Sequence, residues 1–160
     1  MTEQATSRSQ ARPAPAQRDY EVIIIGAGVG GIYQIKRLKD LGVKATILEA
    51  NDDLGGTWYN NRYPGARFDS ESFTYGYSFS QELLDEWHWS EQFSPQPETL
   101  RYLNHVTDKF DLREHMQFGC RVKTMTFDED TDSWVLGLED GRELTSHFVI
   151  TAMGVLSMPT

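Results

Sequence analysis

Cysteine occurs once in these 160 residues, at Cys120, which excludes an intrachain disulfide and leaves no thiolate set for a structural zinc. A reducing compartment fits that count. Histidine is also sparse, and His88, His105, His115 and His147 stand without metal-ligand spacing, so they read as structural or surface residues. Positive charge is short: 15 Lys and Arg face 24 Asp and Glu, for a net charge of -9. No basic cluster falls on any predicted face, so nucleic acid and anionic membrane are poor partners. No apolar run approaches the roughly 20 residues of a membrane span, and the N-terminus lacks the apolar core of a signal peptide. A soluble, cytoplasmic protein is expected. Residues Met1 to Arg18 are rich in Ser, Ala, Gln, Pro and Arg without apolar periodicity, so they cannot offset the entropy of ordering and read as a disordered tail. The remainder, 19–160, suits one domain with a real core.

What is present is concentrated first in Tyr20 to Gly31, YEVIIIGAGVGG. The β-branched run Val22 to Ile25 stops at Gly26, and an amphipathic segment begins just after Gly28, so strand, tight turn and helix follow without spare residues. Gly26, Gly28 and Gly31 fill the glycine places of GxGxxG. The first permits a sharp turn, the second lets a pyrophosphate approach the backbone, and the third lets the helix pack closely on the sheet. A helix N-terminus placed there presents free N–H groups and about half a positive charge to phosphates. Val43 to Leu48 read as the next strand, with Glu49 at its end, eighteen residues after Gly31, where an acid for a ribose is expected. That carboxylate would accept the ribose hydroxyl protons and repel a 2′-phosphate, which suits FAD or NAD over NADP.

Ile32, Ile35, Leu38 and Leu41 recur at helical spacing before Gly42, predicting a helix over 29–41. Asn51 to Ser70 form a long loop of the functional kind. Phe73, Tyr75, Tyr77 and Phe79 alternate with small residues, which predicts an extended segment with one aromatic face turned to the core. Gln81 to Trp87 read as a short helix, and Trp87 and Trp89 as packing residues. Pro97 and Glu98 start a helix that runs to about Phe110. Phe118 to Phe127, Ser133 to Leu138 and Arg142 to Thr145 predict an antiparallel meander separated by acidic and Asp-Gly turns. Phe148 to Thr151 read as a further buried strand that leads to Gly154, with no capping element after it.

The loop from Gly55 to Asp69, GGTWYNNRYPGARFD, is the specific feature. It resembles the Baeyer-Villiger monooxygenase pattern GGxWxxxx[FY]P[GM]xxxD through Gly55, Gly56, Trp58, Tyr63, Pro64, Gly65 and Asp69, seven fixed positions in fifteen. The likeness extends through ESFTYGYSFS, WHWSEQFSPQPETLRYLNHVTDKFDL and ITAMGVLSMP. It implies an α/β, Rossmann-like FAD-binding domain with an antiparallel β-meander insertion, in a flavoenzyme that uses NADPH and O2 to convert ketones to esters or lactones through a flavin C4a-peroxide. By the same resemblance Gly26, Gly28, Gly31 and Glu49 hold the ADP half of FAD, Thr57, Trp58, Asp69 and Tyr75 approach the riboflavin half, and Gly56 is a further cofactor-binding residue. Val122 meets the adenine, Arg67 and Asp69 lie beside the nicotinamide, and Asp69 serves the chemistry by positioning an arginine from a later domain.

Asn60 and Met153 depart from the family's tryptophan and threonine. A second GxGxxG for NADPH and the signature FxGxxxHxxxW do not occur, so the chain is expected to be a truncated, catalytically incomplete N-terminal segment whose partners include the missing portion. Two rivals are an N-hydroxylating flavin monooxygenase and a non-catalytic FAD-binding module.

Overall fold

The computed structural model describes residues 17–155. Most of the expected tail therefore lies outside the described residues, as does the end of the chain. Arg18, assigned to that tail, belongs to the fold: its Nε donates to Ser133 Oγ at 2.6 Å and its Nη2 to the Thr131 and Asp132 carbonyls at 2.8 and 2.9 Å.

The βαβ opening forms as expected, with strand β1 at Tyr20–Ile25, helix α1 at Val29–Asp40 and strand β2 at Ala45–Leu48. Gly42 adopts φ +69 just past the helix, where a left-handed residue lets the last carbonyls find partners. Three short helices follow, α2 (Thr57–Asn60), α3 (Ser72–Tyr75) and α4 (Gln81–Glu86), and then the long α5 (Gln96–Lys109). The C-terminal part is β3 (Met116–Gln117), β4 (Val122–Asp128), β5 (Ser133–Leu138) and β6 (Glu143–Thr151). All six strands form one sheet in the order β3-β2-β1-β6-β5-β4.

The meander is continuous with the parallel sheet. The two strands expected at Arg142–Thr145 and Phe148–Thr151 are one, β6, because strand pairing runs unbroken through Ser146. Ser146 is the handover residue, paired antiparallel with Trp134 of β5 and parallel with Tyr20 of β1. Phe148 is 59% exposed, so this stretch is not the buried strand that its composition suggests. The expected strand from Phe118 is likewise broken, since Gly119 turns at φ +62 and separates β3 from β4.

One sheet face is covered by α1 and α5, with Val22, Ile24, Ile32, Ile35, Ile47, Leu103 and Val106 in a common core. Each such side chain contributes about 1.5–3 kcal/mol on burial. On the other face Ile23 and Leu48 pack with Cys120, Leu136 and Leu138, so the meander covers it.

The aromatic alternation from Phe73 is not a strand. Ser72 Oγ lies 2.7 and 2.9 Å from the Glu91 and Gln92 carbonyls and accepts from Ser94 N–H at 2.9 Å, which pins a helical turn at that point. The turn throws Phe73 outward, 70% exposed, while Tyr75, Tyr77 and Phe79 join the core. Tyr77 donates its hydroxyl to the Val29 carbonyl at 2.7 Å, and its N–H to Tyr102 Oη at 2.7 Å, tying this segment to α1 and α5. Trp87 and Trp89 pack edge-on to each other and around the Tyr102 ring, as expected.

Candidate dinucleotide groove

Gly26 must be glycine for the reason read from the sequence: it sits at φ +103, and a Cβ would stand 2.7 Å from the Ala152 carbonyl oxygen on β6's exit. Gly31 is also held by packing, since its Cβ would lie 1.9 Å from the Gly26 oxygen. Gly28 differs from both. It has an ordinary φ of -81, and a Cβ would meet only the Gly56 Cα, at a comfortable 3.7 Å. Among the described residues nothing forbids a side chain at Gly28, and the space it leaves open faces a groove and not the core.

That groove has a volume of about 550 Å³, within the range of small-molecule sites, roughly 300–1,000 Å³. It runs along the C-terminal ends of β1, β2 and β6, where open α/β sheets bind ligands. Two glycine loops meet on its wall. Gly56 adopts φ +55, and a Cβ there would stand 3.0 Å from the Gly28 Cα, so the backbones of the two motifs are in contact. Gly55 N–H donates to the Ala27 carbonyl at 2.9 Å and locks them together. Helix α1 starts at Val29, and its N-cap Gly28 offers no side-chain cap, with no acidic residue in the first turn. Its first N–H groups therefore remain available to an anion.

Glu49 is buried at 4% exposure and lines the groove. Its Oε2 accepts from Ala27 N–H at 2.7 Å, and its Oε1 accepts from Asn51 N–H and Nδ2 at 2.8 and 2.7 Å. A carboxylate offers about four lone-pair positions. Three are used among the described residues, which leaves one on Oε2 for a ligand, fewer than the two ribose hydroxyls expected from the sequence would need.

At the opposite end Trp58 Nε1 donates to Tyr75 Oη at 2.6 Å, and the Trp58 ring meets Phe68 and Tyr75 edge-on while those two stack at 4.3 Å. Gln96 Nε2 donates to the Trp58 carbonyl from α5. Burial raises the Tyr75 pKa; the Trp58 hydrogen bond opposes this and the Asp69 charge adds to it, so the phenol stays neutral.

Of the expected site residues, Gly26, Gly28, Glu49, Gly56, Thr57, Trp58, Tyr75 and Val122 line the groove. Gly31 lies behind it. Arg67 and Asp69 are exposed and do not line it. Arg67 pairs with Glu91 at 2.9 Å and donates to the Phe93 carbonyl at 3.2 Å, and Asp69 is near enough to Tyr75 to act on its ionisation. Asn51, Cys120, Arg121 and Met153 also line the groove and were not picked out as ligands. No local sequence pattern marks these four, which the fold brings to the groove.

A profile of the NAD(P)-binding Rossmann-like domain matches residues 24–106. The chain belongs to that family. Among curated relatives, it is 44% identical over 137 residues to a 2-oxo-Δ3-4,5,5-trimethylcyclopentenylacetyl-CoA monooxygenase of Pseudomonas putida, across 86% of this chain and 25% of the relative. It is 39% identical to a Baeyer-Villiger monooxygenase of Pseudooceanicola batsensis, across 87% of this chain and 26% of the relative. It is 40% identical to a phenazine N-monooxygenase of Lysobacter antibioticus, across 86% and 26%. A crystal structure of OTEMO in complex with FAD and NADP superposes with a TM-score of 0.84 at 43% identity, across 89% of this chain and 28% of that one. The chain thus spans about a quarter of the length of these relatives. All three curated relatives are named as monooxygenases, and the Pseudooceanicola batsensis relative carries the family name that the resemblance of Gly55 to Asp69 points to. Among the described residues no helix is long and apolar enough to cross a membrane.

Proposed function

We propose that residues 19–160 are the FAD-binding segment of an NADPH- and O2-dependent Baeyer-Villiger monooxygenase that converts ketones to esters or lactones. The observation that carries this reading is the backbone contact between Gly28 and Gly56, which joins the phosphate turn and the Baeyer-Villiger loop in one groove with Glu49 at its ribose end. Gly26, Gly28 and the start of α1 would hold the pyrophosphate, Glu49 one ribose hydroxyl, and Val122 the adenine edge. Thr57, Trp58 and Tyr75 would bound the redox ring, which when bound supplies the oxygen-activating chemistry. The buried aromatic wall of Trp58, Phe68 and Tyr75 would exclude water from that end. Asp69 and Arg67, on the exposed loop outside the groove, would meet a second cofactor or an arginine from another segment.

The nicotinamide site is proposed to lie in a portion of the enzyme beyond this chain, because Glu49 disfavours a 2′-phosphate. The experiment is to mix the purified chain with FAD, NADPH, air and a panel of cyclic and aryl ketones. FAD binding without ester formation is expected; ester formed above the flavin-only control would overturn the division of labour. A second reading, N-oxygenation, is favoured by the phenazine N-monooxygenase relative. Supplying a full-length enzyme with ketones and aromatic N-heterocycles side by side decides between them, with ester as the expected product.

A further inference from the structure

We infer that Asn51 is a positioning residue for nucleotide recognition: it fixes the Glu49 carboxylate so that a single acceptor on Oε2 faces the ribose. The inference rests on the reading of the groove as an FAD site. Asn51 directs two donors, its N–H and Nδ2, onto Glu49 Oε1, at 2.8 and 2.7 Å. Its own carbonyl accepts from Gly119 N–H at 2.9 Å, so the residue is anchored from the turn that separates β3 from β4. The Glu49 carbonyl accepts from Cys120 N–H at 2.7 Å, and Ala27 N–H occupies one position on Oε2. The carboxylate is thereby held from two segments, Ala27 and Asn51, while the β3–β4 turn anchors the backbone of Glu49 and Asn51, and among the described residues the one side-chain donor on the carboxylate is the Asn51 amide.

Without that amide the carboxylate keeps the Asn51 N–H and the Ala27 N–H but is free to tilt, and its open lone pair no longer has one direction. A hydrogen bond to a charged acceptor depends on that direction, and preorganising it removes a cost that the ligand would otherwise bear on binding. Asn51 thus acts on the ligand through Glu49 and not by contact of its own.

The test uses the 160-residue chain, with ADP and 2′,3′-dideoxy-ADP as probes and FAD as the reference ligand, by titration calorimetry. The wild type is expected to bind ADP about tenfold or more tighter than the dideoxy analogue, the ratio given by one charge-assisted hydrogen bond. In Asn51→Ala that ratio should fall to about threefold or less, the analogue's own affinity staying within about twofold. Asn51→Asp, which sets a second carboxylate against Glu49, should weaken ADP at least as much, and circular dichroism of the free variants checks that both fold. A ratio unchanged in Asn51→Ala, whether both affinities hold or both fall together, would mark Asn51 as structural and overturn the inference while leaving the FAD site intact. A wild type that binds FAD but does not distinguish ADP from the dideoxy analogue overturns it as well. A wild type that binds neither FAD nor ADP overturns the cofactor reading itself, and the inference with it.

Discussion

At the scale of single residues, the glycines divide by what stands opposite them. Gly28→Ala should leave the free chain's folding unchanged, because its Cβ has room at 3.7 Å from Gly56. It should weaken FAD binding by about ten- to a hundredfold, the loss of charge-assisted phosphate bonds of roughly 1.5–3 kcal/mol. Urea unfolding of the free protein beside flavin titration checks both halves, and unaltered FAD affinity would remove Gly28 from the phosphate site. Glu98 makes a second prediction. It is buried on α5 at 4% exposure and accepts from Ser90 N–H and Oγ and from Ser94 Oγ at 2.7–2.9 Å. Burial alone would raise its pKa, but the Ser94 and Ser90 hydrogen bonds outweigh it and hold the carboxyl below the ordinary range. A depressed folded-state pKa gives stability that is present above the unfolded value, about 4.3, and is lost as pH falls through the folded one. Glu98→Gln should therefore cost about 1–3 kcal/mol at pH 7. The gap to wild type should close below about pH 4 in urea titrations across pH.

At the scale of elements, α1 and β1 are joined by contact so close that one methyl decides it. Gly31→Ala would place a Cβ 1.9 Å from the Gly26 oxygen, forcing the helix off the sheet. A loss of at least about 2 kcal/mol is expected from overpacking. Gly30→Ala, whose Cβ would meet only the Ala152 Cβ at 3.9 Å, is the control and should be neutral or slightly stabilising in the free protein. Equal unfolding midpoints for the two variants would contradict the packing account. These elements were legible in the sequence because each depends on neighbours along the chain: a β-branched run, a glycine at each turn, a helical stripe ended by Gly42. The aromatic stretch from Phe73 to Phe79 was misread because its conformation is set by Ser72 bonding to residues about twenty positions away. The join within β6 was misread for a similar reason, since Ser146 hands the strand from its hairpin neighbour β5 to β1, which lies more than a hundred residues away in sequence.

At the scale of the whole molecule, two loops that the sequence presents about thirty residues apart meet because β1 and β2 run parallel and both end at the same edge. The glycine turn, the acid and the Baeyer-Villiger loop were each readable alone, whereas the Asn51 clamp on Glu49 and the withdrawal of Arg67 and Asp69 from the groove appear only in three dimensions. The central claim is that this groove is an FAD site and not an NADP site. Competition calorimetry on the purified chain tests it most directly, with FAD titrated first and NADP+ then offered as the displacing ligand. FAD should bind with one-to-one stoichiometry and NADP+ at least about tenfold more weakly, a difference of some 1.4 kcal/mol. NADP+ that binds as tightly as FAD and displaces it would contradict the assignment.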